Sequence, residues 1–207
     1  MKPYLKSALV ILLTVAFTDV HAQIKSGYII GLNLSSMTLK TNGISSNPET
    51  QEGIHLGGFI EIPLTGKFTF QPKLLFSAKG SNYKIDTVQY SLSPVYIEVP
   101  LIFAYKFGSD AVKISLFAGP YFACGIGGFT MDSEGALKDI SFGSGENNDL
   151  KPFDIGFNFG VGVNIKGILI SAQYEIGLAN VSPVTTVDSK MKNKVIGISI
   201  CHYSRTY

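Results

Sequence analysis

Apolar residues alternate with small or polar residues, without interruption, from residue 153 to residue 165. The odd positions carry seven Phe, Ile and Val residues, and the even positions carry only Asp, Asn and Gly. Because successive side chains of a β-strand point to opposite faces of its sheet, this pattern predicts a strand with one wholly apolar face. The segment exceeds the roughly five or six residues of a globular strand and suits a tilted membrane strand, which needs about 9–11 residues.

The same alternation recurs in seven further segments, so the sequence predicts eight strands. It is least regular in the segment 113–127, where Gly119 and Gly125 share a face with Phe117 and Tyr121. The other six segments cover residues 27–34, 54–62, 68–79, 95–106, 168–178 and 196–201.

Charged side chains share the less apolar face of the predicted strands with glycine. They are Glu61, Lys73, Lys79, Glu98, Lys106, Asp154 and Glu175. These acids and bases can pair inside a narrow lumen, and buried charges are tolerated only when they are paired. The alternation alone leaves inside and outside undecided, because a soluble sandwich with a surface of mixed charge would show the same pattern.

The links between the predicted strands alternate in length. Long polar links at residues 40–52, 80–91, 129–151 and 180–194 are separated by short links at residues 64–67, 108–111 and 166–167. Outer-membrane barrels have an even number of strands, short periplasmic turns and long external loops. We therefore predict an all-β fold, namely an eight-stranded antiparallel up-and-down transmembrane β-barrel with short periplasmic turns and long external loops.

The first residues of the chain have the three parts of a secretory signal peptide. Lys2 and Lys6 precede an apolar run at residues 8–17, and Ala22 ends the segment before Gln23. The run is too short to span a bilayer as a helix, which needs about 20 residues. We predict a signal peptide at residues 1–22, a barrel domain at residues 23–207, export through the general secretion pathway, and a location in the outer membrane.

Composition narrows the range of partners. Charged residues make up 15% of the 207 residues, below the share of about 25% that is typical of soluble domains. The formal net charge of +2 provides no basic field for phosphates, so we expect no nucleic-acid partner. The 22 Gly, 14 Phe and 10 Tyr residues suit strands with an apolar outer face, so outer-membrane lipid is the first partner that we expect.

Four segments together resemble one family of membrane proteins. They are residues 71–76 followed by Lys79 and Gly80, residues 96–107, residues 117–121 and residues 153–156. Their order and spacing resemble the PorT-like outer-membrane β-barrel family of Bacteroidota-type bacteria, often labelled the porin family, over about residues 24 to 203. The resemblance implies an eight-stranded barrel in the outer membrane. The best-known member of that family is needed for type IX protein secretion, which implies an accessory role in secretion.

The sequence offers little chemistry beyond the barrel. His55, His202, Cys124 and Cys201 are spread over distant strands and make no metal-binding motif. We predict no catalytic residue, no cofactor and no metal site. Because Cys124 is assigned to the outer face of its strand and Cys201 to the inner face of another, we expect two free buried thiols. His55 shares a face with Glu61, and we interpret them as parts of a polar network that fills the lumen.

The last predicted strand leaves its register open. Barrel proteins usually finish on an aromatic residue in phase with the outer face, but Tyr207 has the opposite parity to the three isoleucines of that strand. Either a bulge near His202 shifts the phase, or the strand ends around Tyr203.

We expect the barrel to act by contact: by anchoring, by loop-mediated binding, or as a PorT-like accessory of type IX secretion. Secretion-machinery or cell-surface proteins would meet it at loops 40–52, 80–91, 129–151 and 180–194. One alternative is a lipid A-modifying outer-membrane hydrolase, in which His202 would act as the base for Ser204. The other alternative is a small-solute channel.

Overall fold

The computed structural model describes residues 24–41, 44–46, 49–85, 88–109, 111–184 and 189–204. The predicted signal peptide and Tyr207 lie outside these residues. The described ranges contain no helix with the length and hydropathy that a membrane span requires. They form the strands β1 (Lys25–Thr41), β2 (Ile44–Ser46), β3 (Gln51–Thr65), β4 (Phe68–Ala78), β5 (Ser81–Ile85), β6 (Val88–Gly108), β7 (Val112–Asp132), β8 (Leu137–Asp139), β9 (Phe153–Ile165), β10 (Ile168–Gly177) and β11 (Ser189–Tyr203).

Eight of these strands form a closed antiparallel ring in the order β1, β3, β4, β6, β7, β9, β10, β11. β11 returns to β1 in a register that runs from Gly27–Tyr203 to Thr41–Ser189, and this pairing closes the ring. The predicted eight-stranded up-and-down barrel is therefore confirmed. The short strands β2, β5 and β8 are additions that pair with β1, β6 and β7.

The predicted apolar faces point outward. In β9, Phe157 and Val161 are exposed on the outer face, whereas Asp154 and Asn158 are buried in the lumen, with 0% and 1% exposure. The same alternation of exposure runs along β4, β10 and β11. A soluble sandwich would bury its apolar face, whereas here the apolar face is exposed. The structure is therefore that of a barrel whose outer face meets lipid.

Tight turns join the strands at one end of the barrel, which we call the short-turn end. They connect β3 to β4, β6 to β7 and β9 to β10, as the short links predict. At the third turn Lys166 and Gly167 have positive φ angles of 52° and 91°. Two such residues form the two-residue hairpin turn whose twist matches that of antiparallel strands, so glycine is required there for its backbone freedom.

The opposite end, the long-loop end, contains more strand than the sequence predicts. All four segments predicted as long links, at residues 40–52, 80–91, 129–151 and 180–194, include strand residues. β6 and β7 have 21 residues each, about twice the 9–11 that cross a bilayer. Their upper halves therefore extend past the lipid. There the outer face no longer has to be apolar, and in β6 the pattern is inverted, with Gln89 exposed and Leu92 buried on the inner face.

The last strand ends at Tyr203 and keeps one register with both neighbours to its end. Of the two alternatives left open by the sequence, the structure thus has the strand ending at Tyr203 and not the bulge near His202. Cys201 is buried on the lumen side, and His202 is exposed on the outer face.

A charge on the lipid face of β9 should destabilise the barrel. We expect Phe157→Arg to cost about 2–4 kcal/mol if the residue lies near the bilayer midplane, and less toward either interface. The measurement is urea-induced unfolding in lipid vesicles, together with the fraction of protein that migrates as a compact unboiled form on gels. Leu137→Arg is the matched control, because Leu137 is exposed on β8 at the long-loop end. Equal stability of Phe157→Arg and the wild type would mean that the outer face of β9 does not meet lipid.

Candidate functional site

The lumen is filled by side chains from all around the ring. The seven charged residues predicted to point inward do so, and all but the half-buried Lys106 are almost completely buried. An eight-stranded barrel is just wide enough for its own side chains to fill it. The question is then how these buried charges are compensated.

The central group of charges consists of Lys79, Glu98, Asp154 and Glu175, and we call it the lumen cluster. Lys79 Nζ lies 2.5 Å from Glu98 Oε2 and 3.1 Å from Glu175 Oε2, in a fully buried position. The ammonium group also lies 4.3 Å from the centre of the Tyr121 ring, close enough for a cation–π contact. Lys79 therefore joins carboxylates of β6 and β10 across the interior of the barrel.

Neutral side chains complete the lumen cluster. Asn158 and Gln173 donate hydrogen bonds to Glu175 Oε1, at 2.8 and 3.1 Å. Tyr121 and Asn193 donate to Asp154 Oδ2, at 3.0 and 2.8 Å. These residues come from β7, β9, β10 and β11, which are consecutive in the ring, and Lys79, which follows β4, joins them to the opposite side through Glu175.

The break between β4 and β5 determines where Lys79 lies. The backbone N–H of Lys79 donates to Pro94 O at 3.0 Å, and the N–H of Gly80 donates to Ser35 Oγ at 2.7 Å. A Cβ at Gly80 would overlap Leu92 O and Gln51 Oε1, so only glycine fits at this close approach. The sequence predicts Lys79 as a lumen charge, but it does not predict this anchoring.

His55 and Glu61 belong to two separate polar groups. His55 Nδ1 lies 2.8 Å from Asn33 Oδ1, and His55 Nε2 lies 2.7 Å from Ser199 Oγ. Glu61 instead accepts hydrogen bonds from Gln71 at 2.9 Å and from Tyr203 at 2.7 Å, and it pairs with Lys106. The interpretation of a polar network is thus supported, and the two residues form no dyad.

Residues 140–152 cover the lumen at the long-loop end, and we call them the cap segment. Ile140 N–H donates to Gly128 O at 3.0 Å, and Lys151 N–H donates to Val181 O at 2.8 Å. Phe142 packs edge-on against Tyr96, with ring centres 6.0 Å apart. Under the cap lies a buried apolar cluster formed by Met37, Leu92, Ile140, Leu150 and Val181. The lumen is therefore closed above the lumen cluster as well as within it.

A cavity of about 370 Å³ lies at the long-loop end, and we call it the rim cavity. One wall is a row of direct cross-strand neighbours: Ser81 on β5, Leu92 on β6, Thr130 on β7 and Lys138 on β8. Leu92 also belongs to the apolar cluster under the cap, so this cluster closes the cavity on its lumen side.

Two further cross-strand pairs line the rim cavity. Leu39 of β1 lies opposite Met191 of β11, and Tyr83 of β5 lies opposite Tyr90 of β6. The two tyrosine rings are stacked, with centres 5.6 Å apart. No pattern in the sequence predicts this cavity as a whole. The one signal for its tyrosine pair is their symmetrical placement about the polar residues 86–87, which is a hairpin pattern.

Acidic residues of the segment 129–151 take part in local structure. Asp132 Oδ1 accepts hydrogen bonds from the backbone N–H groups of Glu134 and Ala136, which shape the turn after β7. Asp149 pairs with Lys138 at 3.2 Å and accepts from the backbone N–H and the hydroxyl of Ser141, both at 2.9 Å. These carboxylates hold the loop in shape.

His202 and Ser204, the two residues of the hydrolase alternative, lie at the short-turn end. His202 is opposite Tyr28 on one side and Ile168 on the other, and Ser204 follows the end of β11. Both side chains are exposed. Across the ranges that the structure describes, no acidic side chain is hydrogen-bonded to His202. The chain thus places the two residues at the opposite end of the barrel from the long loops.

The two cysteines are free, as predicted. Cys201 is buried in the lumen, but Cys124 is only half-buried. The expectation that both thiols are buried is thus wrong for Cys124, because its side chain lies on the outer face of β7. In the described part of the chain, no group of three or more His, Cys, Asp or Glu residues is arranged to hold a metal ion.

Known proteins resemble this chain in family and in fold. The family model of the outer membrane protein beta-barrel domain matches residues 18–182. No curated protein matches the chain. Three solved structures are similar to it, and at their identities and scores they show a likeness of fold alone. They are neisserial surface protein A (12% identity, 84% of this chain and 96% of that chain covered, TM-score 0.43), Yersinia pestis Ail in complex with the heparin analogue sucrose octasulfate (14%, 87% and 99%, 0.38) and the E. coli outer membrane protein W (16%, 88% and 100%, 0.38).

Removal of Lys79 should destabilise the barrel far more than removal of a rim lysine. We expect Lys79→Met to cost about 3–5 kcal/mol, because Glu98 and Glu175 would remain buried without a cation. Lys138→Met is the matched control, since its ion pair is exposed and such pairs contribute about 0–1 kcal/mol. Urea-induced unfolding in lipid vesicles measures both. Adding Glu98→Gln to Lys79→Met should restore part of the loss, and an equal effect of the two single substitutions would contradict the role given to Lys79.

Proposed function

The chain belongs to the outer membrane protein beta-barrel domain family, and from that premise we propose that it is an anchored surface-binding protein that acts through its long-loop end. In this proposal residues 1–22 direct export through the general secretion pathway. The outer face of the ring holds the protein in outer-membrane lipid, and the long-loop end faces the exterior, as in other barrels of this kind.

The observation that carries the proposal is that the interior is occupied along its length. From the short-turn end upward, the lumen holds the Glu61–Lys106 pair, the His55 group, the lumen cluster and the apolar cluster under the cap segment. A protein whose interior is closed at several levels acts at its ends or on its outer surface. At the long-loop end the rim cavity is built from several strands and is lined mainly by apolar and aromatic side chains.

A role in type IX secretion, which the PorT-like resemblance implies, fits this picture only as a contact role. The filled lumen leaves no path for a polypeptide, so the barrel would support secretion by binding another component. The strand extensions β5, β8 and the upper parts of β6 and β7 provide the surface for such contacts. They fall within loops 80–91 and 129–151, where partners are expected from the sequence.

The two alternative functions receive no support from a specific observation. A solute channel would need an open lumen, and the lumen cluster occupies its centre. A lipid A hydrolase would need His202 and Ser204 near the outer leaflet, but they lie at the short-turn end. We therefore propose neither of these functions.

The closed lumen can be tested by electrical recording. We expect the purified protein to give no stepwise conductance in planar bilayers, because side chains block the barrel at several levels. An open porin, inserted in the same bilayers, is the control for detection, and compact migration of the recovered protein on unboiled gels is the control for folding. Stable openings of the folded protein would contradict a binding role based on a closed barrel.

The secretion role can be tested by comparing secreted proteins from a wild-type strain, a deletion strain and complemented strains. We expect the deletion strain to lose a defined set of secreted proteins, and we expect the wild-type gene to restore it. A variant with residues 134–138 replaced by a Gly-Ser linker of equal length should fail to restore the set. A matched variant with Gly66 and Lys67 replaced by Asn and Gly, at the short-turn end, should restore it. An unchanged set of secreted proteins in the deletion strain would refute the secretion role.

A further inference from the structure

We propose that the rim cavity binds a neutral small molecule with an apolar ring system and one polar substituent. This inference rests on the proposed function, since it names the ligand class for the end of the barrel that faces the exterior. It is carried by the size of the cavity, by the chemistry of its walls and by the compensation of its charges.

The size of the rim cavity suits a small molecule. Its volume of about 370 Å³ lies in the lower part of the range of roughly 300–1,000 Å³ that small-molecule sites occupy. Its walls come from β1, β5, β6, β7, β8 and β11, so it is bounded on several sides. Met37 and Leu92 belong both to its lining and to the apolar cluster under the cap. A ligand that enters is therefore held and cannot pass into the lumen.

The walls favour a ring. The thioethers of Met37 and Met191 and the stacked rings of Tyr83 and Tyr90 line the same space. Methionine sulfur makes favourable contacts with aromatic rings, and its flexible side chain adapts to ligands of irregular outline. Apolar walls with a few well-placed polar groups are typical of small-molecule sites. Ser81 and Thr130 are the two hydroxyl-bearing residues of the lining besides the tyrosines; the Ser81 hydroxyl donates to Glu49 O at 3.3 Å and keeps its acceptor capacity for one polar substituent.

The charges of the lining favour a neutral ligand. The lining includes one cation, Lys138, and one anion, Asp149, and they form an ion pair at 3.2 Å. Asp149 also accepts two hydrogen bonds from Ser141. The two charges offset each other within the lining, so a charged ligand would lose hydration without meeting a net opposite charge.

The methionines allow a test with an internal control. Met37 and Met191 line the rim cavity, whereas Met131 is exposed on the outer face of β7, opposite Leu137 of β8. The mature full-length protein, labelled with ¹³C at its methionine methyl groups and placed in lipid nanodiscs, is titrated with 2-naphthol. Each resonance is assigned by a Met→Leu substitution. We expect saturable shifts at Met37 and Met191 and none at Met131.

Variants then connect these shifts to the cavity. Thr130→Trp should weaken 2-naphthol binding at least tenfold, because the indole would fill the space next to Leu92. Leu39→Phe fills less of the cavity, from the other wall, and should weaken 2-naphthol binding less. This variant replaces Thr130→Trp in the test if Thr130→Trp does not fold. Leu137→Trp, on the outer face of the same hairpin, should leave binding unchanged. Naphthalene-2-sulfonate, which is charged, should bind at least tenfold more weakly than 2-naphthol.

The outcomes separate this inference from the function on which it rests. Equal, non-saturating shifts at all three methionines would show partition into lipid and would overturn the inference. Binding that survives both cavity-filling substitutions would also overturn it. If 2-naphthol does not bind but the 134–138 variant still fails to restore secretion, the long-loop end is needed for secretion without a small molecule in the rim cavity. The small-molecule inference is then wrong and the surface-binding function stands.

Discussion

The constraint on which the whole structure depends is the absence of water from the bilayer core. Every backbone N–H and C=O group in that layer must find a partner within the protein, so a sheet that crosses the membrane has to close. The pairing of β1 with β11, from Gly27–Tyr203 to Thr41–Ser189, removes the last open edges. Once the ring is closed, lipid sets the outer face, and the apolar residues of β9 follow from it.

Closure of eight strands also fixes the width of the interior, and this width explains the polar lumen. The inward side chains must fill the space, and a charge among them is stabilised by an opposite charge or, as at Lys73, by an aromatic ring, whose centre lies 5.3 Å from the ammonium group. Lys79 meets this condition by lying between Glu98 of β6 and Glu175 of β10. Close approaches between strands and side chains need glycine. At Gly156, for example, a Cβ would overlap the ring of Tyr121, whose hydroxyl donates a hydrogen bond to Asp154. The apolar outer face and the polar, filled interior thus both follow from the closure of eight strands into a ring.

The same constraint decides how much the sequence could predict. Where lipid requires an apolar outer face, as between Phe153 and Ile165, alternation predicts the strand and separates its two faces, and the alternating lengths of the links indicate that the apolar face points outward. Past the lipid this requirement ends, and the sequence predicts loops where the structure has β5, β8 and the upper parts of β6 and β7. The charged lumen residues could be named from their parity, but their partners depend on register across the ring. The rim cavity depends on this register even more than the lumen contacts do, since cross-strand pairs such as Leu39–Met191 join distant parts of the chain.

The lumen cluster and the rim cavity are parts of one continuous packing arrangement. Tyr96 lies with its ring centre 5.8 Å from Lys79 Nζ and supports Phe142 of the cap segment, at 6.0 Å between ring centres. The cap in turn holds Ile140 and Leu150 against Met37 and Leu92, which line the cavity. The buried charges therefore support the cap segment, and the apolar cluster that the cap completes forms the lumen side of the cavity. The filled interior thus supports the long-loop end, which is the end where binding is proposed.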